Sequence, residues 1–342
     1  MQQRPSTFFQ PNSATTVVVV ITVAVTLFLL LVSGSSAALA ATGTVSSLSS
    51  DVNDDNDSSC AANHQMTLHP HDEKLVLYHF DTVSSTQDRA KNLILEKVLT
   101  TTPHDTTVCV TATQQTAGRG TSGRQWQSTG GNVFVTIGIP MEAWSSRVMV
   151  PLTLLPLKVG ELTAVLIQQL LKDCSKDHDA AATPIVNVKW PNDVLCDGKK
   201  ISGTLIESAG TWFLIGVGIN LEHAPPIPTS GTNHGRPSTS VREYCPNDTT
   251  DGVDTVQRAR QVGVDLAYQL HRWLHSESHH DKTADAVLQG WKQFVDWDME
   301  LVMRDTPDRE RVKLLEVLPD GRVKVRNVED GSERVLVSDY FL

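Results

Sequence analysis

No C-x-x-C pair occurs in this sequence. Its five cysteines, Cys60, Cys109, Cys174, Cys196 and Cys245, are odd in number and widely scattered, so they encode neither a disulfide framework nor a zinc site and read as reduced thiols. Excess positive charge is absent too. Against 39 Asp and Glu stand 29 Lys and Arg, and the net −10 argues against a general nucleic-acid binder, which would carry a basic face. No internal repeat is found. The common phosphate fingerprints are also missing: the glycines do not fit G-x-x-x-x-G-K-[ST], and no strand, G-x-G-x-x-G, helix unit surrounds them.

What is present begins with an uncharged run, "VVVVITVAVTLFLLLV", from Val17 to Val32. Only Arg4 precedes it, and small residues suited to a signal-peptidase cut follow, so residues 1–40 read as a secretory-type signal, with an uncleaved membrane anchor as the alternative. Residues 41–72 are rich in Ser, Asp and Asn and too poor in apolar side chains to order themselves, which predicts a linker, with folded structure starting near Glu73. The 40% apolar content is ample for a sizeable core.

Along the folded part, residues 73–83 read as a strand and 84–99 as a helix capped by Ser84, Ser85 or Thr86. Strands follow at 106–115 and 132–140, then a helix over 155–172 whose Leu162, Val165, Leu166, Gln169 and Leu170 fall at helical spacing as one stripe. Three further strands, "IVNVKW", "KKISGTLIES" and "TWFLIGVGIN", are separated by turn signals at Asp197-Gly198 and Ala209-Gly210, which predicts an antiparallel meander. A Pro/Gly/Ser/Thr-rich loop over 222–240 leads to helices within 253–278 and 282–295. From residue 311 onward, apolar and polar residues alternate around Asp-Gly and Glu-Asp-Gly turns, as in a small antiparallel barrel. A main domain over 73–296 and a small one over 297–342 result.

Four stretches carry the chemistry: "SSTQD", "QTAGRGTSGRQWQSTGGN" (Gln115–Asn132), "VKWPNDVLCDGKKISGTLIE" and "IGVGIN". The second packs glycines, which allow close backbone approach and positive φ, beside two arginine forks suited to phosphate or carboxylate oxygens. Singly, each stretch has an ordinary reading. Lys189 suits a snorkelling strand lysine, Trp190 a core aromatic, Pro191-Asn192-Asp193 a turn, and Gly216 and Gly218 a bend where backbones meet. In this order and spacing, with "PSTS" at 237–240, the set resembles the biotin–protein ligases (holocarboxylase synthetases), whose hallmarks are a Ser-Thr-Asn start, a G-R-G-R-x-G-R-x-W loop, K-W-P-N-D and G-I-G-x-N. The resemblance covers roughly Glu73 to Leu342.

The resemblance implies an α+β fold: a mixed central sheet flanked by helices, of the class II synthetase-like biotin/lipoate ligase type, plus a small C-terminal SH3-like β-barrel. It implies ATP-dependent ligation of biotin, through biotinyl-5'-AMP, to a lysine of a carboxylase's biotin carrier domain, with ATP and biotin as substrates and Mg2+ accompanying ATP. Catalysis then falls to Lys189, Arg119 and Arg124, cations set against the gathering negative charge of a carboxylate meeting an α-phosphate. Biotin contacts fall to Ser85, Thr86, Gln87, Gln115, Gly118, Arg119, Lys189 and Gly203, with Lys200 to Gly203 lining the slot through backbone groups. ATP or adenylate contacts fall to Gly120, Arg124, Trp126, Asn132, Lys189 and Asn220, and no protein metal ligand is implied. Thr121 stands where the family has a second arginine, Gln87 where it has asparagine, and Thr129 where it has proline, so the loop is one cation short. A lipoate or octanoyl ligase and a non-catalytic biotin-binding regulator are the alternatives. No helix-turn-helix precedes Glu73, which disfavours nucleic acid as a partner. A homodimer and a membrane contact through residues 17–32 stay open, as do three destinations: an organelle such as a plastid reached by the secretory route, a membrane face toward the cytosol, or the cytoplasm.

Overall fold

Successive side chains of a strand point to opposite faces, and residues 75–80 are apolar at nearly every position, which demands cover on both sides. The computed structural model, which describes residues 64–96, 105–175, 183–226, 236–245, 254–303, 306 and 308–337, meets that demand. The signal or anchor reading of residues 17–32 lies outside the described residues. Strands β1 (His64–His69), β2 (Asp72–Val83), β3 (Thr107–Gln115), β4 (Val133–Pro140), β5 (Val186–Lys189), β6 (Asp193–Cys196), β7 (Lys199–Ala209) and β8 (Trp212–Ile219) form one eight-stranded sheet. Its order is β1-β2-β3-β4-β8-β7-β6-β5. Leu75 and Leu77 enter the core on one face, and Val76, Tyr78 and Phe80 the core on the other.

Among the described residues, six helices accompany the sheet: α1 (Thr86–Leu95), α2 (Met141–Arg147), α3 (Leu155–Ser175), α4 (Val241–Tyr244), α5 (Thr255–His275) and α6 (Ala284–Lys292). Helix α1 covers the smaller core through Ala90, Leu93 and Ile94, while α3, α5 and α6 cover the larger. Because α1 carries the chain across the sheet, β2 and β3 run parallel, whereas every other neighbouring pair in this sheet is antiparallel. The mixed sheet with flanking helices is the expected architecture. The meander holds as well, as β5-β6-β7-β8.

Three expectations need correction. Residues 64–72, read as part of the linker, form β1 and its turn into β2; a single strand of mixed composition cannot order itself, but an existing sheet edge orders it by backbone pairing. The stripe proposed for α3 holds only in part: Leu166 is buried and Leu162 and Leu170 pack on the core, but Gln169 is exposed, Val165 is 43% exposed, and Leu157, Ala164, Ile167 and Leu171 are buried as well. That helix is apolar nearly all round, so the sheet and not the period selects its face. It is also long and apolar enough to cross a membrane, yet it packs into the core. Finally, Cys174 at the end of α3 and Cys245 just after α4 form a disulfide across 71 residues, while Cys109 and Cys196 are free and buried. Sequence distance hides that pair.

A second, four-stranded antiparallel sheet, ordered β12-β11-β10-β9, comprises β9 (Glu300–Val302), β10 (Arg311–Val317), β11 (Val323–Asn327) and β12 (Glu333–Leu336). This small antiparallel sheet is compatible with the expected SH3-like fold. Its β10–β11 turn docks on the larger sheet's helical face: Thr153 donates to the Asp320 carbonyl at 2.6 Å, and the Trp190 indole N–H to the Gly321 carbonyl at 3.0 Å. Gly321 has φ +85°, and a Cβ there would sit 2.9 Å from Thr153, so only glycine fits.

Helix α5 is fastened through a buried histidine. His271 hydrogen-bonds Thr107 Oγ1 at 2.8 Å and Asp72 Oδ2 at 3.0 Å, and its ring packs 4.3 Å from that of His275. Burial lowers both histidines; Asp72 and Asp105 oppose this at His271, while at His275 the neighbouring His271 and Arg147 add to it and Asp105 alone opposes it, with Lys74 lowering each; His275 falls to about 4. Histidines depressed in the fold bind fewer protons than in the unfolded chain, so they contribute stability above an unfolded value of about 6.5 that is lost as pH falls toward 4. Thermal melts between pH 7 and pH 4 should therefore show a falling midpoint. His275→Gln should flatten that slope, and an unchanged slope would remove His275 from the account.

Candidate active site

The floor is built from missing side chains. Gly203 on β7 pairs with Gly218 on β8, and Gly216 lies two residues from Gly218 on the same face, so the sheet carries a trough there. The Trp126 indole lies against Gly203 and Gly218, whose Cβ atoms would collide with it. The surrounding cavity has a volume of about 710 Å3.

One end of the cavity is polar and uncharged. Ser85 caps α1 by accepting from the Gln87 amide at 3.2 Å, which starts the helix so that Thr86 and Gln87 turn inward. Gln115, the last residue of β3, presents Oε1 to the Thr86 amide at 2.8 Å and to its hydroxyl at 3.2 Å. Thr136 Oγ1 lies 3.0 Å from Thr86 Oγ1 and 3.1 Å from Gln87 Oε1, while Gln87 Nε2 donates to the Leu214 carbonyl at 3.1 Å. All four side chains are buried. Gln87 thus spans the trough's end, and a side chain at Gly216 would meet its Oε1 at 2.8 Å.

The glycine loop is a narrow hairpin. Trp126 N–H donates to the Gly118 carbonyl at 2.9 Å and Gly120 N–H to the Arg124 carbonyl at 2.7 Å. Gly118 must lack a side chain, since a Cβ would run into the Trp126 carbonyl and come within 2.9 Å of Gln115 Nε2. Gly118 itself stays behind the cavity wall, but Gly120, Arg119 and Arg124 line it. Arg124 folds back on Thr121, reaching its hydroxyl at 2.6 Å and its carbonyl at 3.1 Å. Arg119 bridges Glu207 at 2.5 Å and Asp88 at 3.0 Å. Both ion pairs are more than a third exposed, and such pairs are weak enough to exchange for a more highly charged anion.

The other end is cationic. Asp193 Oδ2 receives Lys189 at 3.2 Å and Asp193 Oδ1 receives Lys200 at 2.5 Å. Burial alone would raise this carboxyl, but Lys200 and Lys189 outweigh it and hold it below the usual carboxylate range. The two lysines differ in access: the Lys189 side chain is 4% exposed and that of Lys200 is 21% exposed. Lys200 Nζ also lies 5.7 Å from the Trp126 ring centroid. Asn220 closes this side, its Nδ2 donating to the Thr239 carbonyl at 3.0 Å. Asn132, expected beside the nucleotide, is placed elsewhere. Its Oδ1 accepts from the amides of Leu221, Glu222 and His223 and its Nδ2 donates to the His223 carbonyl, so its amide is spent on that turn.

Ser85, Thr86, Gln87, Gln115, Arg119, Gly120, Arg124, Trp126, Lys189, Gly203 and Asn220 therefore gather at one cavity, and Gly118 and Asn132 support it from outside. Sequence reasoning missed the roles of Asp193, the Lys200 ammonium, Thr136 and Arg236. The register of "KWPND" against "KKISG" was the signal for the first two. The arrangement suits a ligand with a hydrogen-bonding ring at one end and anionic groups at the other.

A family model described as the Biotin/lipoate A/B protein ligase family matches residues 79–222. That stretch is where the chain is similar to the family. A biotin–[acetyl-CoA-carboxylase] ligase of Mycobacterium tuberculosis is 32% identical over 124 residues, 34% of this chain and 41% of the relative. The bifunctional ligase/repressor BirA of Bacillus subtilis is 34% identical over 158 residues, 44% of this chain and 41% of the relative. The chain thus spans about two-fifths of the length of these relatives. Among solved structures, the biotin protein ligase of Leishmania major in complex with biotinyl-5-AMP aligns with TM-score 0.50 and 25% identity, over 77% of this chain and 98% of that one. The matched stretch contains every cavity residue named above except Arg236.

Proposed function

We propose that the protein is a biotin–protein ligase. The observation that carries this reading is one cavity with a neutral hydrogen-bonding end, Thr86, Gln87 and Gln115 with Thr136 behind them, and a cationic end, Lys189 and Lys200 on Asp193. A ureido ring, with N–H donors and a carbonyl acceptor, can use every group at the neutral end. A dithiolane or alkyl chain offers these groups no donor or acceptor in exchange, which disfavours the lipoate or octanoyl alternative. A regulator without catalysis has no evident use for paired ammoniums at a carboxylate's position.

In this reading a biotin carboxylate oxygen attacks the α-phosphorus of ATP and expels pyrophosphate, giving biotinyl-5'-AMP. Lys200 and Lys189 offset charge on the carboxylate and α-phosphate as they approach, at a preorganised site. Arg119 and Arg124 leave their surface partners to fold the glycine loop over the phosphate, excluding water from the mixed anhydride. The amine of a lysine on a carboxylase's biotin carrier domain then attacks the acyl carbon, AMP leaves, and an amide forms. Mg2+ enters with ATP as part of the substrate. Among the described residues no group of three His, Cys, Asp or Glu side chains could hold a metal ion, and Asp193 is committed to two lysines.

Mass spectrometry of a biotin carrier domain incubated with the protein, ATP and either biotin or lipoate tests the reading. Addition of one biotinyl group is expected; lipoylation or an unchanged mass overturns it. For location, we propose that residues 1–40 begin a secretory route toward an organelle. A fluorescent fusion of residues 1–72 should mark an organelle; a membrane rim supports the anchor instead, and diffuse cytosolic signal removes both.

A further inference from the structure

Arg236 lies on the cavity wall at the cationic end, in a segment that the family match does not include. Its position is set by the backbone that also sets Lys200: Lys200 N–H donates to the Pro237 carbonyl at 2.7 Å and Thr239 N–H to the Lys200 carbonyl at 2.9 Å. The guanidinium is tethered at one point, where Nη1 donates to the Gly198 carbonyl at 3.0 Å. Its Nε is buried without a hydrogen-bond partner among the described residues. A guanidinium has five N–H donors, and leaving a buried one unused costs free energy unless a bound group takes it up. The charge sits in the same field as the lysine clamp, since burial lowers the Arg236 pKa and Asp193 is the acidic group that opposes this.

The cavity's other cations are already assigned. Lys189 and Lys200 share Asp193, Arg119 is held by Asp88 and Glu207, and Arg124 by Thr121. Thr121 also leaves the glycine loop one arginine short of the pattern it resembles. A triphosphate brings two more phosphates than the adenylate, and those two depart together as pyrophosphate. Planar guanidinium forks match phosphate oxygens in pairs.

We propose that Arg236 binds the β- and γ-phosphates of ATP and so supplies the cation that the glycine loop lacks. This rests on the ligase reading above. The interaction belongs to ATP and pyrophosphate, and biotin and the adenylate lie outside it.

Arg236→Gln and Arg236→Lys in the full chain, assayed by pyrophosphate exchange, test the assignment. Arg236→Gln should raise the KM for ATP and weaken inhibition by inorganic pyrophosphate, each by about tenfold to a hundredfold, as for a lost charged hydrogen bond. The KM for biotin should stay as in the wild type, and Arg236→Lys should recover part of both losses. Unchanged ATP and pyrophosphate dependence overturns the proposal. So does an equal rise in the KM for biotin, which a merely structural tether to Gly198 would produce. If Arg236→Gln does not fold, the lysine variant carries the test, because its loss of paired donors should still weaken pyrophosphate more than biotin. A wild type with no biotin-dependent exchange would instead overturn the ligase reading, and calorimetric binding of pyrophosphate to wild type and variant would then decide Arg236 separately.

Discussion

Lys200→Ala is expected to lower biotinyl-adenylate formation by about a hundredfold or more, the usual scale for removing one well-placed electrostatic group. The lysine projects toward the cavity from the start of β7, is 21% exposed, and keeps its ammonium between Asp193 and the Trp126 face. Its removal leaves Lys189 to satisfy Asp193, so the fold should survive. Single-turnover formation of the adenylate, measured beside a thermal melt, separates the two effects. Lys189→Ala should also slow adenylation, but with a loss of stability, because its 4% exposed side chain lies inside the protein. If Lys200→Ala keeps near-native adenylation while Lys189→Ala abolishes it with no change in melting, the division of roles between them is wrong.

Asp193→Ala should destabilise the protein by about 3 kcal/mol, the cost of leaving a buried charge uncompensated. Two ammoniums, one from β5 and one from β7, would then face each other across β6 with no carboxylate between them. Because the folded-state pKa of Asp193 is depressed, its contribution is fully present above the unfolded value of 3.8 and is lost as pH falls through the lower folded one. Denaturant midpoints at neutral pH should fall for Asp193→Ala, and the wild type's excess stability over Asp193→Asn should shrink at the acid end. Equal midpoints for wild type and Asp193→Ala would show that the clamp holds nothing together.

The glycine loop, a hydroxyl cap among residues 84–86 and the succession of the main strands are legible in the sequence because each follows from local rules: capping, alternation and turn chemistry. For Lys200 the sequence implies only a backbone role, because nothing in "GKKISG" says which way its ammonium points. Only the pairing of β6 with β7 brings it to Asp193. Asn132 shows the converse. An asparagine beside a glycine loop reads as a ligand contact, yet a turn at residues 221–223 takes its amide. Edge strand β1 and the Cys174–Cys245 bond depend on partners far along the chain, as does the choice of buried face on α3. Arg236 is not legible in the sequence because its loop reads as a polar connector, and its place beside Lys200 follows from a single backbone bridge between residues 200 and 238.

The central claim is that this cavity joins a biotin carboxylate to the α-phosphate of ATP. Exchange of labelled pyrophosphate into ATP by the purified protein, with and without biotin and with lipoate as control, measures that step alone. The account predicts exchange with biotin, little or none with lipoate, and its loss in Lys200→Ala. Exchange without biotin, exchange with lipoate in its place, or no exchange at all would contradict it.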